Sequence, residues 1–115
     1  MRTQKLLGSV VGVDRISKIV RPPGGNITKR QIKFITEEMK FRVVGWDVDT
    51  DDWKVRDAKQ VSAKVLRTTD GKVVLSHDIY QSTVDAMRVV LPALKARFVL
   101  STVSRAGLFT QHNLI

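Results

Sequence analysis

Three ionisable side chains of this 115-residue sequence stand directly past short apolar runs. Arg21 follows Lys18-Ile19-Val20, Asp49 follows the stretch from Phe41 to Val48, and His77 comes just after Val73-Val74-Leu75. Each run is a candidate strand, and in βα architectures the polar chemistry collects where strands end and loops begin. Ionised groups at such ends are the raw material of proton transfer and charge stabilisation. Singly, each has an ordinary explanation: a surface cation, the first residue of an acidic turn, a hydrogen-bonded core histidine. Three in succession at equivalent places weigh more than any one.

Other chemistries fit less well. The acidic loop Asp47-Val48-Asp49-Thr50-Asp51-Asp52 has the density of a calcium site, but an EF-hand loop requires glycine sixth and glutamate twelfth. Counted from Asp47, those places hold Asp52 and Ala58. There is no cysteine, which removes disulfides, thiolate metal sites and a cysteine nucleophile together. The two histidines, His77 and His112, are too few for a histidine-based metal centre from this sequence alone. Gly24-Gly25 lacks the Gly-x-x-x-x-Gly-Lys frame of a phosphate loop. Asn26-Ile27-Thr28 is a glycosylation sequon, meaningful only in a secreted eukaryotic protein.

The elements that must position the three groups follow from apolar periodicity. Arg2 to Val11 reads as a short helix with Leu6, Leu7 and Val10 on one face. Lys18–Val20 is a strand halted by Pro22-Pro23-Gly24-Gly25. Asn26 or Thr28 caps a helix whose stripe is Ile32, Ile35 and Met39, widened by Ile27 and Phe34. Phe41 to Val48 reads as one buried strand, and Val55 to Arg67 as a helix with Val61 and Val65 one turn apart. After the Asp70-Gly71 turn comes the strand Val73–Leu75. Gln81 to Arg97 is helical through Val84, Met87, Leu91 and Leu94, with Pro92 expected to kink it, and Phe98–Val103 is a last strand. Strands apolar on both faces, alternating with helices, indicate parallel βα units. The fold class expected is α/β, a partial (β/α) barrel of about four parallel strands, as one partial domain over residues 1–115.

The formal net charge of +9 invites a polyanion reading. Ten of the twenty Lys and Arg lie at or before Arg42 against three of the eleven acidic residues, but no five like charges run together. Only Phe34 and Phe41 of the aromatics fall in that stretch, so a stacking platform for nucleic acid is poorly supported and no nucleic-acid partner is expected. No apolar run reaches the ~20 residues of a membrane span, and the stretch Met1–Leu7 lacks the apolar core of a signal peptide.

At these same strand ends the sequence resembles the polysaccharide deacetylase family, the NodB-homology carbohydrate esterases. Arg21-Pro22-Pro23-Gly24-Gly25 is similar to its Arg-x-Pro-aromatic-Gly motif, Asp49-Thr50-Asp51-Asp52-Trp53 to Asp-Ser/Thr-x-Asp-Trp, and Leu75-Ser76-His77 to Leu-x-His. Order and spacing agree over roughly residues 15–103. The resemblance implies metal-dependent hydrolysis of acetyl groups on chitin, peptidoglycan or xylan, with zinc or another divalent metal activating water. It implies that His77 is the general acid for the leaving amine, that Asp49 orients His77 and that Arg21 braces the catalytic-base aspartate. Gly24 would offer a backbone N–H to the oxyanion, while Leu75 and Trp53 would line the pocket for the acetyl methyl. The family's Thr-Phe-Asp-Asp-Gly-Pro and His-Ser/Thr-x-x-His motifs, which supply base and metal ligands, do not occur, and Gly24 stands where an aromatic is usual. The expectation is therefore the C-terminal half of such a domain, with no cofactor of its own and inactive alone. With open strand edges it would associate with itself or with a missing N-terminal half. The alternatives are a carbohydrate-binding scaffold derived from the enzyme and, less favoured, a basic nucleic-acid module. Family members are mostly secreted or bound to the cell wall.

Overall fold

The structure, a computed structural model, describes residues 2–106, which divide into two compact units: one up to Val43 and one from Val44 onward.

In the first unit, α1 (Arg2–Val11) buries none of its residues; Leu6 and Val10, expected on a packed face, are 67% and 75% exposed. The strand β1 (Ile19–Val20) pairs in parallel with β2 (Arg42–Val43), with Ile19 opposite Arg42 and Val20 opposite Val43. Between them, Pro23–Gly25 forms a single 3₁₀ turn, and α2 (Lys29–Lys33) runs on into a wider π-turn over Phe34–Glu38. Thr28 is the cap: its Oγ1 accepts from Gln31 N–H while Gln31 Oε1 accepts from Thr28 N–H, a reciprocal capping box.

In the second unit, β3 (Val48–Asp49) pairs in parallel with β4 (Val74–Leu75), so that Asp49 lies opposite Leu75. The run expected as one strand from Phe41 to Val48 is thus two short strands in different units. The helix expected over Val55–Arg67 starts later, as α4 (Ala58–Leu66), and a separate short helix, α3 (Asp52–Val55), precedes it. Arg56 between them takes a left-handed conformation (φ 49°, ψ 36°) that ends α3, and the Asp57 carboxylate then accepts from Gln60 N–H to start α4.

The helix α5 (Gln81–Arg97) has the expected bounds, but its buried face is Thr83, Ala86, Val90 and Leu94. Ala86, Val90 and Leu94 pack against Val61 and Val65 of α4 to make the core, with Val74, Met87 and Phe98 partly buried around it. Small residues at the contact let the two helices approach closely, so the larger Met87 and Leu91 are displaced to the margin. Residues 98–102 are irregular and Val103–Ala106 forms the short helix α6, in place of the expected last strand. Arg97 stacks its guanidinium 4.8 Å from the Phe98 ring and donates to the Leu66 and Thr68 carbonyls, turning the chain back onto α4. Among the described residues the four strands therefore form two separate parallel pairs, not one run of four. No helix of the described residues is long and apolar enough to cross a membrane.

Candidate functional site

The second unit brings three polar side chains together from three segments. The loop after β3 turns on Asp51, which adopts a left-handed conformation (φ 52°, ψ 27°) and leads into α3. Two bonds hold that turn: Asp49 Oδ1 accepts from Asp51 N–H at 2.9 Å, and Thr50 Oγ1 donates to the Leu75 carbonyl at 2.9 Å. The turn delivers Asp52 into the interior, where its side chain is fully buried.

Every lone-pair direction needed by that carboxylate has a donor. Oδ1 accepts from Trp53 N–H at 2.9 Å and lies 2.8 Å from His77 Nδ1. Oδ2 accepts from His77 N–H at 2.5 Å and from Thr83 Oγ1 at 2.7 Å. Burial pushes the Asp52 carboxyl up. The hydrogen bonds from His77 (side chain, then backbone) and Thr83, together with the His77 charge, outweigh that penalty and hold it below its ordinary value of 3.8. Asp52 is thus ionised and can only accept, so His77 Nδ1 carries the proton and Nε2 is left for an incoming group. The imidazole side chain is 34% exposed, against 0% for Asp52: one end of the pair is anchored, the other open.

His77 has aromatic and cationic company. Tyr80 packs edge-on to it, with ring centroids 6.2 Å apart, and the Arg56 guanidinium lies 4.5 Å over the Tyr80 ring. Trp53, next to Asp52, is 52% exposed, whereas Leu75 is buried at the end of β4.

Of the residues singled out from sequence, His77, Trp53, Leu75 and Asp49 all lie in this unit, but the carboxylate on His77 is that of Asp52, not Asp49. Asp49 acts one step removed, through the Asp51 turn. Asp52 and Thr83 were not singled out. The usable signal was an Asp preceding Trp at a helix start, since four carboxylates share that loop. Arg21 and Gly24 belong to the first unit. Arg21 is exposed immediately after β1, as expected. Gly24 has φ 61° with open space where a Cβ would stand, so glycine serves the backbone conformation and not a close contact.

Among the described residues no three of His, Cys, Asp and Glu stand together as a metal site. Asp52 and His77 are committed to each other, and the donor set does not fit a divalent ion.

No protein-family model matches the sequence. Curated proteins do. The chain is 37% identical over 98 residues to peptidoglycan-N-acetylglucosamine deacetylase PgdA of Listeria monocytogenes, covering 84% of this chain and 20% of that protein. It is 37% identical over 107 residues to a peptidoglycan-N-acetylglucosamine deacetylase of Bacillus cereus, covering 86% of this chain and 38% of that protein. Peptidoglycan-N-acetylmuramic acid deacetylase PdaC of Bacillus subtilis is 37% identical over 89 residues. The solved structure of PdaC superposes with a TM-score of 0.78 at 34% identity, over 91% of this chain and 50% of that one. The chain thus spans well under half the length of these curated relatives and half of the solved one.

Proposed function

Because the chain belongs to the polysaccharide deacetylase family, we propose that its second unit forms the leaving-group side of a deacetylase site acting on an N-acetylated glycan. The observation that carries the proposal is the buried Asp52 carboxylate on His77 Nδ1, with Nε2 free at a part-exposed imidazole. His77 in its doubly protonated form donates from Nε2 to the nitrogen of the departing amino sugar as the C–N bond breaks. Asp52 fixes the ring against rotation and balances the charge it carries before that transfer. Trp53 and Leu75 flank the acetyl methyl. Arg21 and Gly24, to which the resemblance gives roles at the base carboxylate and the oxyanion, lie in the first unit. We read the two parallel strand pairs as part of the (β/α) barrel of the solved relatives.

The family generally uses a divalent metal. Among the described residues no ligand set for it stands together, so in this reading the metal is held by a carboxylate and histidines of another segment. The test is deacetylation of N-acetylglucosamine oligomers by the chain alone, and by the chain mixed with a polypeptide carrying the Asp-Asp and His-x-x-x-His motifs. Zinc-dependent release of acetate is expected only in the mixture, and is expected to vanish with His77→Gln. Release by the chain alone, or release unaffected by His77→Gln, overturns the proposal.

The exposed face of Trp53 also suits a second reading, a binding protein that holds glycan without cleaving it. Retention on peptidoglycan by the chain, with no acetate released in the mixture, would favour it.

A further inference from the structure

We propose that the groove between β4 and residues 98–101 is a surface for self-association. A second copy of this chain lays its own residues 98–101 along the free edge of β4 and receives the first copy's in return. The inference goes beyond the glycan reading above and stands apart from it.

On the β3 side, the Val73 carbonyl accepts from the Asp47 and Val48 N–H groups, and the Leu75 carbonyl accepts from Thr50 N–H. Backbone groups alternate sides along a strand, so the N–H and C=O of Val74 and Ser76 point the other way. There β4 has no strand neighbour among the described residues. Sheets usually blunt such an edge with proline, a bulge or a charge. From Val73 to Ser76 there is neither proline nor charge. What that row of donors and acceptors takes is another extended backbone.

Beside the edge lies a groove of about 550 Å³, lined by Met87 and Leu91 of α5, with Phe98 and Leu100 along it. Met87 and Leu91 belong to the apolar stripe that the α4–α5 core leaves at its margin, and Leu91 is exposed. Residues 98–101 have the composition of a strand and begin extended at Phe98 (φ −136°, ψ 157°), yet they join no strand among those described. Val99 stands 95% exposed. The chain thus presents an unpaired edge and an unpaired apolar segment side by side, and two copies about a two-fold axis satisfy both at once. Charge fits a copy as well. The groove is rimmed by Asp70, which has no partner among the described residues, and by Lys72, which reaches Asp47 only at 3.4 Å. Two-fold pairing sets each sign against the other. The second unit has ten basic against eight acidic residues, little net charge to hold copies apart.

The full chain, sedimented across the micromolar to millimolar range, is expected to pass from monomer to dimer. Leu91→Glu and Val99→Lys, both at exposed positions, are each expected to weaken the dimer about tenfold or more. Val89→Glu, exposed on α5 but outside the groove, is expected to change it by less than about twofold. Amide exchange by NMR gives the second readout: Val74 and Ser76 N–H slow in the dimer far more than Thr50 N–H, which is already bonded to Leu75. A chain that stays monomeric throughout overturns the inference, as does a dimer indifferent to Leu91→Glu and Val99→Lys. Slow exchange at Val74 and Ser76 in the monomer shows the edge covered from within one chain and overturns it too. Protection that appears only on adding the polypeptide with the Asp-Asp and His-x-x-x-His motifs assigns the edge to that partner, with the same result. None of these outcomes alters the acetate test of the glycan reading.

Discussion

Replacing Asp52 by Asn changes one atom of a fully buried side chain and forces a definite choice on its neighbours. The parent carboxylate receives four donors: Trp53 N–H and His77 Nδ1–H on Oδ1, His77 N–H and the Thr83 hydroxyl on Oδ2. An amide nitrogen placed where Oδ2 stands faces the His77 N–H, donor against donor. Placed where Oδ1 stands it faces the Trp53 N–H, but His77 can respond by moving its own proton from Nδ1 to Nε2 and accepting. The second arrangement is the better one. It leaves one backbone donor unpaired, at about 1–3 kcal/mol, and removes the charge from the bonds that remain, at about 1 kcal/mol more. Asp52→Asn should therefore destabilise the chain by about 2–4 kcal/mol, a large part of the 5–15 kcal/mol typical of a domain. Urea unfolding followed by tryptophan fluorescence measures that cost, and ¹⁵N chemical shifts of the imidazole report the switch from the Nδ1–H to the Nε2–H form. A stability within about 0.5 kcal/mol of the parent, with the proton still on Nδ1, would show that the carboxylate does not govern the network.

The same carboxylate sets an acid limit. Its folded value lies below the ordinary 3.8, so the unfolded chain binds the proton more readily. The stability it contributes is complete above the ordinary value and is lost as pH falls through the folded one. Unfolding midpoints measured from pH 6 downward should fall more steeply below about pH 4 in the parent than in Asp52→Asn; identical slopes would contradict this. Thr83→Val removes one donor from Oδ2 with little change of shape and should cost about 1–2 kcal/mol, shifting the acid transition to higher pH. Val61→Ala opens a gap between α4 and α5 where Val61 is fully buried, and should cost about 2 kcal/mol by denaturant midpoint. Thr28→Ala undoes the capping box in the first unit at about 1 kcal/mol, with no effect on the His77 resonances.

What sequence revealed and what it hid divide along physical lines. Apolar period and turn chemistry are local, and they located α5 to the residue, narrowed the cap before α2 to Asn26 or Thr28, and found the strand preceding His77. Choosing among carboxylates is not local. Asp47, Asp49, Asp51 and Asp52 share one short loop, and the backbone path selects which is buried. Asp51 turning left-handed sends Asp52 inward and leaves Asp49 to steady the turn. The register of α5 was hidden for a related reason. Periodicity favours the stripe of largest side chains, Met87 and Leu91, while close packing on Val61 and Val65 selects Ala86 and Val90. The run from Phe98 has the apolar content of a strand, but a strand exists only with a partner to bond, and none of the described segments supplies one there.

The four loop carboxylates also show why fold and site are hard to separate in this unit. Asp47 accepts from Val73 N–H and ties the loop to the start of β4, while Asp51 pairs with Lys64 of α4. Asp52 then joins the start of α3, the residue two beyond β4, and the first turn of α5 through four bonds on two oxygen atoms. Besides the α4–α5 core, those bonds tie α5 to the end of β4, so the imidazole is positioned by the contacts that assemble the unit. A buried carboxylate is a poor source of net stability compared with an apolar contact of the same size. Its retention at this junction fits a requirement for direction: an apolar replacement could fill the space but could not hold Nδ1–H inward and Nε2 outward. Substitutions that preserve packing and lose that direction, such as Asp52→Leu with Thr83→Val, should leave a chain that unfolds cooperatively while its His77 ring loses the single Nδ1–H tautomer by ¹⁵N shift. If the ring keeps that tautomer in such a chain, the direction comes from elsewhere and the assignment of Asp52 as its positioning residue fails.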